Sequence, residues 1–129
     1  MKEALQQSGS STVTRVKAPA GFEEVMKGLV QEHSAPLSLV CTTQISRQGL
    51  APQPLHRYLS EVYGERVNIF IGPEGGFDPA ELEEFQRLGV RSVSLGPTVL
   101  RAESAATAAV AAVRIILLER QSWEPKNYY

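Results

Sequence analysis

Two short stretches hold the residues best suited to chemistry. The first is Gly72-Pro73-Glu74-Gly75-Gly76-Phe77, and the second is Leu95-Gly96-Pro97-Thr98-Val99-Leu100-Arg101-Ala102-Glu103-Ser104. Paired glycines at 75 and 76 permit backbone geometries closed to other residues and let a ligand come close to the main chain. Pro73 stiffens that loop, and a helix starting just beyond it points free N–H groups back toward it. In the second stretch, Gly96-Pro97 forces a bend, and Arg101 and Glu103 stand at the mouth of a helix. Charged residues there can bind a substrate. A plainer account stands beside each. The first stretch also fits a tight strand-to-helix turn, Glu103 suits the positive end of any helix, and Arg101 suits a solvated helix end. Neither stretch is a phosphate loop, because no Gly-Lys-Ser/Thr follows and the G-x-G-x-x-G spacing is absent.

The remaining chemical groups are sparse. His33 and His56 lie far apart without ligand spacing and read as solvated helix residues, so no metal site is expected. Cys41 reads as a buried, inert strand residue. Tyr128 and Tyr129 have the aromatic faces to stack on a base, but fit a disordered tail better.

The elements that must position the two stretches alternate. Lys2–Gln7 reads as a short helix ended by Gly9, and Val13–Val16 as a strand. Phe22–His33 is a helix with Phe22, Val25, Met26, Leu29 and Val30 on one face. Leu37–Cys41 is a buried strand after Pro36, and Gln44–Ala51 a loop. Pro54–Tyr63 is an amphipathic helix built on Leu55, Tyr58, Leu59 and Val62, and Val67–Ile71 a β-branched and aromatic strand. The next helix has the clearest limits: Asp78 at the N-cap, Pro79 at the first position, Glu81 to answer the cap, and Gly89 beyond the end. Leu82, Phe85 and Leu88 form its buried stripe. Val90–Leu95 is a strand, Arg101–Arg120 a long helix, and Trp123–Tyr129 a tail. Strands alternating with helices imply an α/β fold, a parallel sheet with helices on both faces. Ligands bind such sheets beyond the carboxyl ends of the strands, where both glycine stretches fall.

Composition bounds the partners. The chain has 129 residues, 43% of them hydrophobic, enough for one core in a single domain over 1–129. A formal net charge of -1 and a pI of about 6.1 argue against a free-standing electrostatic nucleic-acid binder. One cysteine excludes an intrachain disulfide and fits a reducing, cytoplasmic setting. The apolar run Ala105–Leu118 is interrupted by Arg114 and falls short of the ~20 residues that cross a bilayer, so no membrane partner is expected.

Taken together, Ile71-Gly72-Pro73-Glu74-Gly75-Gly76-Phe77, the capped helix, Leu95-Gly96, and Val99-Leu100-Arg101-Ala102-Glu103-Ser104-Ala105 resemble the signature of the RsmE family. These are SPOUT-superfamily methyltransferases that modify N3 of a uridine in 16S ribosomal RNA. Gln7-Ser8-Gly9 resembles a further motif of that family. The resemblance implies a deep trefoil knot spanning roughly 67–120, with S-adenosylmethionine (SAM) bent inside it and held mainly by main-chain groups. It implies cofactor-binding roles for Ile71, Gly72, Pro73, Glu74, Gly75 and Gly76 of the first stretch. In the second, it implies them for Leu95, Gly96, Val99, Leu100, Arg101, Ser104 and Ala105. Arg101 and Glu103 are the implied catalytic pair, 16S rRNA or the 30S subunit the implied partner, and a homodimer the implied assembly, without metal.

Three features depart from that pattern. The family begins with a PUA-like RNA-binding domain, for which this sequence has no counterpart, and the opening strand and helix of the methyltransferase domain also lack one. Ser10 and Thr98 stand where the family usually carries arginine. The loss of two cations weakens the case for RNA binding and catalysis and leaves the cofactor case largely intact, so a truncated or degenerate domain that binds cofactor or dimerises without catalysis stays open as an alternative. A knotted methyltransferase acting on tRNA fits the Gly-Pro-Glu-Gly-Gly form less well.

Overall fold

The computed structural model describes residues 14–31, 37–59 and 66–122. The expected helix over Lys2–Gln7, the Gln7-Ser8-Gly9 motif, Ser10, His33 and the Trp123–Tyr129 tail lie outside these residues. The chain divides into two compact units, residues 1–33 and 34–129.

In the first unit, helix α1 (Phe22–Gln31) forms where the spacing of apolar residues requires one, and Val25 N–H donates to Gly21 O at 3.1 Å to open it. Met26 is its buried residue, with Phe22 and Leu29 half-buried and Val25 and Val30 exposed. The strand expected over Val13–Val16 is not observed for Thr14–Val16, and Val16 is 81% exposed. β-branched residues alone do not make a strand; a ladder partner must take up their backbone groups, and none does so among the described residues.

The second unit carries β1 (Leu37–Cys41), β2 (Gln53–Pro54), α2 (Leu55–Leu59), β3 (Val67–Ile71), α3 (Pro79–Arg87), β4 (Arg91–Ser94) and α4 (Ala102–Ser122). The strands form one parallel sheet in the order β2-β4-β1-β3. Register runs Leu37 to Val67 through Cys41 to Ile71 on one side of β1, and Leu39 to Arg91 through Cys41 to Val93 on the other. Strands β3 and β4 are consecutive in sequence yet lie on opposite sides of β1.

Both faces of this sheet are covered. Leu39 and Val40 point to opposite faces, and each is fully buried. On the Leu39 face, Val93 and Val113 complete the core, with Leu55 and Tyr58 of α2 and Ile116 and Leu117 of α4 packed against it. On the opposite face, Phe70 meets Phe85 of α3 with ring centroids 4.9 Å apart. Burying such side chains stabilises the domain by about 1.5–3 kcal/mol each.

Helix α3 has the ends its sequence requires. Asp78 Oδ1 accepts from Ala80 N–H at 2.9 Å, and Glu81 Oε2 accepts from Asp78 N–H at 2.8 Å, a complete capping box. At the other end Gly89 has φ +76°, its N–H donates to Gln86 O, and Val90 N–H donates to Phe85 O. This is the paired-bond C-cap that a left-handed glycine allows. Because Val90 N–H is spent on the helix, β4 begins at Arg91 rather than at Val90. Among the described residues, no helix is long and apolar enough to cross a membrane.

Candidate functional site

A cavity of about 170 Å³ opens at the carboxyl ends of β1, β3 and β4. Its walls come from three loops and one helix: Cys41–Gln44 after β1, Ile71–Gly76 after β3, Leu95, Gly96 and Thr98–Leu100 after β4, and Ala102 and Ala105 of α4. The strand order explains the convergence. With β1 between β3 and β4, the loop leaving β1 lies between the two glycine loops, so all three face one space.

Each loop is held by its own contacts. In the β3–α3 loop, Gly76 N–H donates to Pro73 O at 2.8 Å, closing a tight turn, and Gly76 has φ +74°, a conformation glycine adopts freely. A Cβ on Gly72 would stand 3.2 Å from Cδ2 and Cε2 of Phe77, so glycine lets that ring close over the loop. Phe77 in turn packs edge-on against Phe85, centroids 5.1 Å apart, which ties the loop to the buried core of α3. At Gly75 a Cβ would meet nothing within 4 Å, which leaves that stretch of backbone open to a ligand.

In the β4–α4 loop, Ser94 Oγ donates to Gly96 O at 3.0 Å and accepts from Gly96 N–H at 3.3 Å, pinning the bend at Gly96. Beyond it Val99 is 76% exposed although it lines the cavity. The loop after β1 extends the ladder by one bond, Thr42 N–H to Val93 O at 3.0 Å. Gln44 N–H then donates to Thr42 Oγ1 at 3.0 Å. Farther along, an Arg47–Glu83 ion pair at 3.2 Å and a Gln86 Nε2 to Gln48 Oε1 hydrogen bond at 2.8 Å fasten the loop to α3.

The electrostatics of the lining are spare. Glu74 is its charged side chain, and among the described residues no lysine or arginine contributes to it. Burial disfavours the Cys41 thiolate and pushes its pKa up to about 11, consistent with an inert thiol on the wall. Among the described residues, no group of three or more His, Cys, Asp or Glu side chains is placed to hold a metal ion.

Residues 1–114 match the family described as the RNA methyltransferase domain. The chain belongs to that family. It is 28% identical over 103 residues to ribosomal RNA small subunit methyltransferase E of Mesomycoplasma hyopneumoniae, covering 80% of this chain and 40% of that protein. To the Bacillus subtilis protein of the same name it is 30% identical over 112 residues, covering 87% of this chain and 43% of the relative. Among solved structures, it aligns with a putative methyltransferase of Legionella pneumophila in complex with SAM, at a TM-score of 0.70 and 27% identity, covering 88% of this chain and 42% of that one. A ribosomal RNA small subunit methyltransferase E from Neisseria gonorrhoeae bound to S-adenosyl methionine gives 0.70 and 26%, covering 88% and 44%. The chain thus spans about two-fifths of the length of these relatives.

The structure gathers most of the expected binding residues of this methyltransferase domain around the cavity. Ile71, Gly72, Pro73, Glu74, Gly75, Gly76, Leu95, Gly96, Val99, Leu100 and Ala105 all line it. Arg101 and Ser104 do not: both are exposed and sit beside it. At about 100° per residue around a helix, Ala102 and Ala105 face inward while Ser104 turns away. Arg101 precedes the helix, its carbonyl accepting from Ala105 N–H at 2.8 Å. Glu103 is exposed in the first turn, where the helix dipole favours a carboxylate. Arg101 and Glu103 form no ion pair with each other.

Sequence reasoning missed Cys41–Gln44, and it assigned no binding role to Thr98 and Ala102 within the second stretch. The available signal was the rule that loops at strand carboxyl ends bind ligands, applied to β1 as well as to β3 and β4. Polar Thr42-Thr43-Gln44 directly after an apolar strand is the trace of it in the sequence.

Proposed function

We propose that this chain carries the cofactor-binding part of an SAM-dependent methyltransferase whose target is N3 of a uridine in 16S ribosomal RNA, acting on the rRNA or the 30S subunit in the cytoplasm. The observation that carries the reading is that Gly75 and Leu100, from loops on opposite sides of β1, line one cavity. The lining suits this cofactor. It offers open glycine backbone at Gly75 and Gly96, aliphatic walls at Ile71, Leu95 and Leu100, threonine hydroxyls, and a carboxylate opposite in charge to a sulfonium and an ammonium. Among the described residues it offers no cationic cradle for phosphates, which this cofactor does not carry.

When bound, the cofactor supplies an electrophilic methyl group; the chain's residues prepare the nucleophile. Uracil N3 must lose or share its proton before attack. Arg101, which follows Leu100 of the lining, is the candidate to stabilise the negative charge that spreads onto the base oxygens, a preorganised effect of the kind that dominates many enzymes. Glu103, two residues on, is the candidate to receive the proton or to hold Arg101.

The strand order supports a trefoil knot over roughly 67–120: β4 is inserted between β1 and β2, and α4 then returns across the sheet. A homodimer is the assembly that fits best, since α4 leaves a small and aliphatic face uncovered. Among the described residues no cation lines the cavity, and Thr98 stands on its wall; this favours one second reading, a domain that binds the cofactor without transferring its methyl group.

Calorimetric titration with SAM, followed by methyl incorporation into unmodified 30S subunits, tests both. Binding with incorporation supports the enzyme, and binding without incorporation supports the second reading. Absence of both heat and a thermal shift at millimolar cofactor overturns the cofactor assignment.

A further inference from the structure

Gln44 differs from the other residues of the cavity wall. Its backbone is set by the Thr42 hydroxyl, and its loop is fastened to α3 by Arg47 and Gln48, so the side chain starts from a fixed point. The carboxamide lies against Gly76, with Nε2 3.3 Å from where a Cβ on that glycine would stand. It reaches across from the β1 loop to the β3 loop, yet among the described residues it hydrogen bonds to no protein group. Its two N–H donors thus stand at the exposed edge of the cavity and, among the described residues, meet no protein acceptor.

SAM ends in an amino acid, which brings a carboxylate as well as an ammonium. Glu74 answers the ammonium, but no lysine or arginine among the described lining residues answers the carboxylate. Neutral donors must do so, main-chain N–H groups of the glycine loops together with uncharged side chains. Thr42 Oγ1 accepts from Gln44 N–H, which keeps that hydroxyl close to the main chain, and Thr42, Thr43 and Thr98 all reach less far than a glutamine carboxamide. We propose that Gln44 selects for the amino-acid end of the ligand, its carboxamide donating to the ligand carboxylate. This rests on the reading of the cavity as a methyl-donor site and adds a residue that distinguishes ligands with the amino-acid tail from those without it.

The test compares two ligands on the intact chain by calorimetry. S-adenosylhomocysteine has the tail; 5′-methylthioadenosine has the same nucleoside and a thioether but no tail. Gln44→Glu keeps the shape and sets a negative charge against the carboxylate. It is expected to weaken S-adenosylhomocysteine by about tenfold or more, the scale of a lost hydrogen bond to a charged group, while 5′-methylthioadenosine stays within about twofold. Gln44 is exposed, so the ligand-free melting temperature should not move. If Q44E nonetheless folds poorly, Gln44→Ala carries the same comparison with a smaller ratio of about fivefold. Equal weakening of both ligands, or of neither, overturns the assignment of Gln44 alone. A wild-type chain that binds neither ligand overturns the methyl-donor reading and this assignment together.

Discussion

Arg101 and Ala105 are joined by a backbone hydrogen bond, yet they serve different spaces. Ala105 is buried and lines the cavity; Arg101 is exposed beside it. Cofactor retention and catalysis should therefore separate at this turn. Arg101→Ala is expected to lower methyl incorporation by about 10²–10³-fold, as loss of one charge-stabilising donor does, with S-adenosylhomocysteine affinity within about twofold. A parallel loss of affinity would make Arg101 a cofactor ligand instead. Cys41 gives a second prediction at this scale. With its pKa near 11, the thiol stays protonated at pH 8, and alkylation by iodoacetamide should run about one to two orders of magnitude slower than for a free thiol. The rate should keep climbing with pH above 9 instead of levelling there. Because Cys41 lines the cavity, saturating cofactor should slow alkylation further, and an unprotected thiol would place the ligand elsewhere. The lining glycines were legible in the sequence because they fall in strand-to-helix turns, whereas Arg101, named with them, stands outside the lining. Thr42, Thr43 and Gln44 were not, because nothing in a threonine or glutamine marks it as facing a ligand until its neighbours in space are known.

At the scale of elements, legibility follows how local the physics is. Both ends of α3 could be read from single residues, since a capping box and a left-handed glycine act within one turn. Asp78→Ala removes the acceptor for Ala80 N–H and is expected to cost about 1 kcal/mol in urea unfolding. Because Asp78 directly follows Phe77, the loss should also loosen the loop that Phe77 closes, so cofactor affinity should fall severalfold. An unchanged affinity would show that the Phe77–Phe85 contact alone holds the loop. Sequence reading failed where a backbone group's partner could not be assigned from residue type, whether the partner is a distant strand or the preceding helix. Val13–Val16 has strand-like composition, but Thr14–Val16 acquires no ladder. Val90 belongs by type to β4, but its N–H closes the helix before it.

Across the whole molecule, the informative quantity is strand order, and no local pattern encodes it. Alternation of strands and helices gives a parallel sheet, but it does not say that β4 lies between β1 and β2 or that β1 lies between the two glycine loops. That arrangement creates the cavity. It also turns Ala105, Ala109 and Val113 of α4 inward, leaving Ala108, Ala111 and Ile115 exposed at helical spacing, with Val110 beside them. Val110 and Ile115 are 55% and 56% exposed, and small residues between them would let a second helix approach closely. If this face joins two copies, sedimentation of the chain at micromolar concentration should show a dimer, and Ile115→Arg should yield a monomer, since a guanidinium buried there without a partner costs several kcal/mol. The cavity does not include Ile115, so the monomeric variant isolates what the second copy contributes. Weakened cofactor binding in the monomer would mean that the site is completed across the interface. Binding that persists while methyl incorporation is lost would place the partner's role at the RNA. Sedimentation of the unaltered chain as a monomer would remove the dimer from the proposal and leave the α4 face without an assigned role.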